Sequence, residues 1–188
     1  GSYSYVNSNV YLRDLSENTT SLVSRGYSGA PANNSEVAAI SGNGRYVVFK
    51  SLSNQLVVGD NTTGANSNIF LYDTIEGSIS RISKTLTGSP STGASVSSAL
   101  NQDGSYIAFD SHSSNFVTND TNGRYDIFLY GIPDSISPVV SGIPDRPPNA
   151  NGWYKNDVLI DWLSNDPAPS SGIPTDPLDT LASTEGAD

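Results

Sequence analysis

Two decapeptides in this chain are versions of one another. Gly42–Ser51 reads GNGRYVVFKS, and Gln102–Ser111 reads QDGSYIAFDS, about 60 residues later. A matching apolar run follows each: NSNIFLYD at Asn66–Asp73 and YDIFLY at Tyr125–Tyr130. The run also occurs near the start, as NSNVYLRDL at Asn7–Leu15. Short strands returning at a fixed period mean one small supersecondary unit stacked on copies of itself. Such a pattern constrains architecture strongly and activity weakly.

Within one repeat, 33–84, the pattern predicts four short strands. Ser35–Ser41 is the first and Arg45–Ser51 the second; Ser67–Asp73 is the third and Ser78–Lys84 the fourth. Their β-branched and aromatic residues favour a pleated, half-buried surface. Strands two and three are apolar on both faces, as expected of strands sandwiched between neighbouring sheets. The fourth alternates and reads as an edge. Asn43-Gly44 and Asp103-Gly104 precede strand two in the two copies. Such dipeptides supply positive φ, which predicts a tight hairpin between strands one and two. No long helical periodicity runs through 7–130.

Four antiparallel strands buried on both sides describe a propeller blade. The copies resemble TolB-like β-propeller repeats over roughly residues 7–130. The resemblance rests on Asn43-Gly44-Arg45-Tyr46, Phe49 and Ser51, Gly59-Asp60, and Asn68-Ile69-Phe70. In the next copy the matching residues are Asp103-Gly104-Ser105-Tyr106, Phe109 and Ser111, Asp120 with Asn122-Gly123, and Asp126-Ile127-Phe128. The resemblance implies an all-β fold: a partial β-propeller of four-stranded antiparallel blades, about two blades in all. Residues 1–25 supply two strands of one blade, 33–84 a full blade, and 93–130 three strands. Closed propellers have at least four blades. The expectation is therefore a piece of a longer protein, a self-associating chain with open blade edges, or a short open array.

The chain is acidic, with pI ≈ 4.2 and net charge -10. Dense phosphate binding needs clustered Lys and Arg, so no nucleic-acid partner is expected. Cys and Met are absent, which excludes disulfides, thiolate nucleophiles and zinc-thiolate sites. No apolar run is long enough for a membrane span, and GSYSYVNSNV at the start lacks signal-peptide character. From Ile132 onward nine acids face only Arg146 and Lys155, against ten acids and seven bases before it. This shift predicts two parts: 1–131, the blades, and 132–188, an acidic Pro-rich tail.

In the tail, Val139-Val140 and Val158–Trp162 read as strands flanking a Pro/Asn-rich turn at Asp145–Asn151. The stretch Asp145–Trp162, with Gly152-Trp153-Tyr154 and Trp162, followed by Asn165–Asp176, resembles bacterial Ig-like surface domains. Only the first strands of a sandwich are present, so an Ig-like remnant, extended or weakly ordered, is expected.

The best chemical candidate is NDTNGRYD at Asn119–Asp126. Asp120, Asn122 and Asp126 present alternate oxygens around Asn122-Gly123, a pattern that suits a calcium ion. The same residues also suit an Asx-turn, and Gly131 stands where an EF-hand would need a bidentate Glu. His112 is the sole histidine. With Asp110 and Ser111 beside it a triad is conceivable, but neighbours on a strand point to opposite faces. Asp14 and Asp73 hold equivalent places, with Arg81 or Lys84 as partners for Asp73. As a pair they would be candidate glycosidase carboxylates, though a repeated position reads first as a structural staple. Tyr3, Tyr5, Tyr11, Tyr27, Tyr46, Tyr72, Tyr106, Tyr125 and Tyr130 are candidates for a carbohydrate surface or for core. Triplets at Asn18, Asn33, Asn61 and Asn119 match the glycosylation pattern, but a chain so rich in Asn, Ser and Thr yields them by chance.

The functional expectation is a noncatalytic propeller segment of an extracellular, periplasmic or cell-surface protein. It would serve as a scaffold or as a protein- or glycan-binding surface. The alternatives are an accessory region of a secreted hydrolase whose active site lies elsewhere, and a calcium-stabilised adhesin repeat.

Overall fold

A computed structural model describes residues 7–59, 66–133, 139–154, 156–165 and 180–182. Tyr3, Tyr5, Asp60, the Asn61 triplet and most of Asn165–Asp176 lie outside the described residues. Every regular element among the described residues is a strand, and the strands form four small antiparallel sheets. The chain divides into two compact units, Gly1–Ile132 and Pro133–Asp188.

In the first unit, β1 (Tyr11–Asp14) pairs with β2 (Thr19–Leu22). The second sheet runs in sequence order through β3 (Ser35–Ile40), β4 (Tyr46–Ser51), β5 (Asn68–Asp73) and β6 (Ser78–Arg81). The third contains β7 (Ser95–Leu100), β8 (Tyr106–Ser111) and β9 (Asp126–Gly131). Among the described residues the full four-stranded unit is realised once, with β3 and β6 at its edges.

The second and third sheets repeat each other in register. Ser35 stands opposite Ser51, and Ser95 opposite Ser111. Phe49 faces Phe70, and Phe109 faces Phe128. Both first strands carry the same one-residue bulge, between Glu36 and Ala39 and between Ser95 and Ser98. A bulge kept at one place bends both sheets alike, which suits stacking.

The strand-one to strand-two hairpin is longer than the tight turn expected. Only the glycines adopt positive φ, 74° at Gly44 and 78° at Gly104. The side chains of Asn43 and Asp103 set the loop instead. Asn43 Oδ1 accepts from Arg45 N–H and the Ser41 hydroxyl; Asp103 Oδ1 accepts from Ser105 N–H and its hydroxyl. These Asx-turns compete successfully with a two-residue hairpin. Three of the four glycosylation-like asparagines, Asn18, Asn33 and Asn119, also stand at positive φ. Asn tolerates that region better than most residues, which gives them a conformational reason to be there.

Two apolar clusters fill the unit. Val10 and Val23 of the first sheet region join Val47, Phe49 and Phe70 on one face of the second sheet. On its other face Tyr46, Val48, Ile69, Leu71 and Ile82 meet Ile107 and Phe109 of the third. β7 lies against β3, β4 and β5. Burial on both sides is why β4 and β5 lack the usual alternation. The rings of Phe49 and Phe70 stack 5.9 Å apart, and those of Phe109 and Phe128 5.7 Å apart. Phe49, Phe70 and Phe109 are buried, and Phe128 is half-buried at the margin of its cluster.

The turns of neighbouring sheets also touch. Gly42 N–H donates to Gln102 O at 2.8 Å, and Asn43 Nδ2 donates to Asp103 O at 3.1 Å. A Cβ at Gly42 would come within 2.9 Å of Gln102 O, so only glycine allows this approach.

In the second unit, β10 (Val139–Pro144), β11 (Val158–Asn165) and β12 (Thr180–Ala182) form an antiparallel sheet. Part of the segment expected to be extended or weakly ordered is therefore paired, over Val139–Pro144, Val158–Asn165 and Thr180–Ala182. Asn149 organises the turn between β10 and β11: its Oδ1 accepts from the N–H groups of Asn151 and Trp153. Arg146 donates to the carbonyls of Asn156 and Asp157 across the same turn.

Candidate functional site

A buried serine and asparagine network runs through the stacked sheets. Ser35 Oγ donates to Ser51 Oγ at 2.9 Å, and Ser95 Oγ to Ser111 Oγ at 2.9 Å. Each acceptor serine in turn donates to the carbonyl just before its strand-one partner, at Asn34 or Ala94. Each also receives the N–H two residues on, from Ser53 or Ser113. The clue in the sequence was the sixteen-residue spacing of Ser35–Ser51, kept in Ser95–Ser111. Inspection of the apolar residues alone passes over it.

Asparagine supplies the second staple. Asn9 Oδ1 accepts from Ser24 Oγ at 3.0 Å and from Asn33 N–H at 3.1 Å. One copy later Asn68 Oδ1 accepts from Ser83 Oγ at 3.0 Å and Ser91 Oγ at 2.9 Å. The same serines accept the N–H of the next residue, Val10 or Ile69, at 3.0 Å. A side chain thus replaces the last rung of the ladder, and the fourth strand ends at Arg81 rather than Lys84. Both asparagines tie the start of a third strand to the segment entering the next sheet.

Asp126, one of the candidate calcium ligands, occupies this position in the third sheet. Its two carboxylate oxygens accept from Asn122 Nδ2 at 3.0 and 3.1 Å. Asn122 Oδ1 accepts from Arg124 N–H at 2.7 Å, closing an Asx-turn. Asn122 and Asp126 are brought together, and Asp120 is half-buried at the start of the same loop. Among the described residues no group of three or more His, Cys, Asp or Glu is placed to hold a metal ion.

The other chemical candidates are tied elsewhere. The His112 ring packs edge-on against Tyr125, with centroids 5.3 Å apart. Asp110 Oδ1 accepts from Ser97 N–H at 2.6 Å, and the Ser111 hydroxyl is held in the serine network. These three do not form a relay. Asp73 accepts from Arg45 rather than from Arg81 or Lys84, as well as from the N–H groups of Ile75 and Glu76. Burial alone would raise the Asp73 carboxyl; the Arg45 hydrogen bond and those two N–H groups outweigh it and hold it below the usual carboxylate range. Asp14 caps its own turn through Ser16 and Glu17.

The tyrosines divide. Tyr46 is core, with the Arg45 guanidinium 4.8 Å from its ring centre, while Tyr11, Tyr27, Tyr106 and Tyr125 are exposed. Arg25, Tyr27, Leu56, Tyr72 and Ile79 line an open groove of about 320 Å³. An aromatic ring beside a guanidinium can stack on a flat apolar surface and hydrogen-bond its polar rim.

No protein-family model matches the chain, and no curated protein sequence matches it. Among solved structures, it is similar to the crystal structure of the tricorn protease, with a TM-score of 0.43 and 18% identity. The likeness covers 69% of this chain and 12% of that one, so the chain spans a small part of that protein's length.

Proposed function

We propose that this chain is a noncatalytic segment of a TolB-like propeller protein, acting as a scaffold that presents a binding surface to a protein or glycan partner. The supporting observation is the repetition of one buried polar staple in successive sheets. Ser35–Ser51 and Ser95–Ser111 hold the same bonds at the same places, and each pair ties strand one to strand two of its sheet. The polar side chains with the clearest chemistry are engaged in building sheets. Serine hydroxyls bound this way are unavailable as nucleophiles. An Ig-like assignment for the second unit, and an extracellular or envelope location, belong to the same proposal. They are supported by the Trp-containing strand pattern and by a surface rich in Asn, Ser and Thr.

The test is a panel of ester, peptide and glycoside substrates, together with a glycan array. We expect no turnover that disappears in Asp110→Ala or His112→Ala. Any glycan retained on the array should be lost with Tyr27→Ala, which removes the exposed ring of the groove. Turnover abolished by either of the first two variants would make the chain an enzyme and end this reading.

A further inference from the structure

The third sheet repeats the second in sequence but differs from it in what covers it. Ile69 and Leu71 of β5 are 0% and 6% exposed; their counterparts Ile127 and Leu129 of β9 are 75% and 69% exposed. Tyr46 is 3% exposed, and its counterpart Tyr106 is 50% exposed. All six residues point the same way from their sheets. In the second sheet that face is closed by Ile107 and Phe109, with Phe128 and Tyr130 at the margin. In the third sheet Ala99, Ala108 and Ile127 line an open hollow of about 280 Å³, with Ser97, Ser98 and Asp110 at its polar side.

We infer that the outer face of the third sheet, formed by Tyr106, Ala108, Ile127 and Leu129, is a docking surface for one more sheet of this same repeat type. The occupant's chemistry follows from the interface already present. It is a sheet presenting an Ile and a Phe from its second strand, as Ile107 and Phe109 do, and aromatic residues from its third. Asp126 marks the corresponding place in the repeat. It stands where Asn9 and Asn68 each bind a serine just past the following strand and a group from the segment entering the next sheet. In the third sheet Asn122 of the same loop holds the Asp126 carboxylate, so the uncovered apolar face carries the inference. An exposed contiguous apolar patch on a sheet is itself a mark of an interaction site.

This inference rests on the stacked-sheet reading of the repeat, and the experiment separates the two. A tandem chain is made by inserting a second copy of residues 73–130 directly after Tyr130. This follows β9 with a fourth strand and one further sheet. In the natural chain Ile127→Lys should move the melting temperature by less than about 2 °C, because the side chain is exposed. In the tandem chain the same substitution in the first copy should lower it by about 10 °C or more. An equal, small shift in both chains overturns the inference; if Phe49→Ala remains costly there, the stacked-sheet reading survives. A tandem chain that fails to fold leaves a second measurement on the natural chain. A hydrophobic dye should bind the natural chain, and Leu129→Lys should abolish the signal without lowering the melt. Absence of dye binding, or a dimer that Leu129→Lys converts to monomer, would show the face covered by something other than a further repeat.

Discussion

Arg45 and Asp73 form a buried ion pair in which Nε and Nη2 both reach Asp73 Oδ2, at 3.1 and 2.9 Å. In the next copy both partners change together. Ser105 stands in place of Arg45, and Gly131, opposite Tyr106, stands where Asp73 is opposite Tyr46. A buried charge without its partner is costly, whereas losing both is tolerated. The paired replacement fits that rule.

Removing one member should therefore cost more than removing both. Asp73→Ala leaves a buried guanidinium and is expected to destabilise by about 3 kcal/mol. The double variant Arg45→Ser with Asp73→Gly, which copies the third sheet, should cost clearly less than the two single changes added. A double-mutant cycle in denaturant reads the difference; strict additivity would mean that the pair contributes nothing as a pair.

The same pair predicts a direction with pH. The folded-state carboxyl of Asp73 is lowered, so it binds its proton less readily folded than unfolded. Its contribution is complete above the ordinary carboxylate value of about 4 and is lost as pH falls through the lower folded value. Melting temperature should decline below about pH 4, and Asp73→Asn should flatten that decline. An unchanged acid limb in the variant would assign the effect to other carboxylates, such as Asp14 and Asp103, both also lowered.

Phe49 and Phe109 occupy the same register position in their sheets, and each stacks on the Phe opposite. Truncation of either to Ala should cost about 3–5 kcal/mol. If Phe109→Ala melts within about a degree of the parent, the third sheet is not packed on the second as described.

Asn68 differs from Asp126 in its surroundings. Its Oδ1 receives two serine hydroxyls, but its Nδ2 donates to Asn66 O at 3.2 Å. Asn68→Asp keeps the acceptor, loses the donor, and sets a buried carboxylate against that carbonyl. We expect a loss of about 1–3 kcal/mol at pH 7, partly recovered near pH 4, where protonation restores a donor. Equal loss at both values would show that charge is not the cause.

Calcium tests the loop at Asp120, Asn122 and Asp126. Both oxygens of Asp126 are already held by Asn122, so millimolar calcium should shift the melt by less than about 1 °C. A rise of several degrees, abolished by Asp126→Asn, would place a cation there.

Much of the architecture was legible because burial on two faces writes itself into a strand: YVVFKS and NIFLYD have no alternation to offer water. The Asn-Gly and Asp-Gly dipeptides marked where a turn falls but not its form, because the side chains of Asn43 and Asp103 close Asx-turns in a longer loop. The partner of Asp73 was not legible. Arg81 and Lys84 are its near neighbours in sequence on the basic side. But antiparallel pairing sets Arg81 opposite Phe70 and Ser78 opposite Asp73, while β4 brings Arg45 beside it. Register, which belongs to the sheet, chose the pair.

The sharpest divide is between Ile69-Phe70-Leu71-Tyr72 and Ile127-Phe128-Leu129-Tyr130. Four identical residues by themselves determined the same strand, the same pleat and the same stacked Phe in both copies. Only the tertiary structure decided that Ile69 and Leu71 are core while Ile127 and Leu129 are surface. Strand geometry arises from the residues of the strand and its ladder, whereas burial depends on which sheet lies on top.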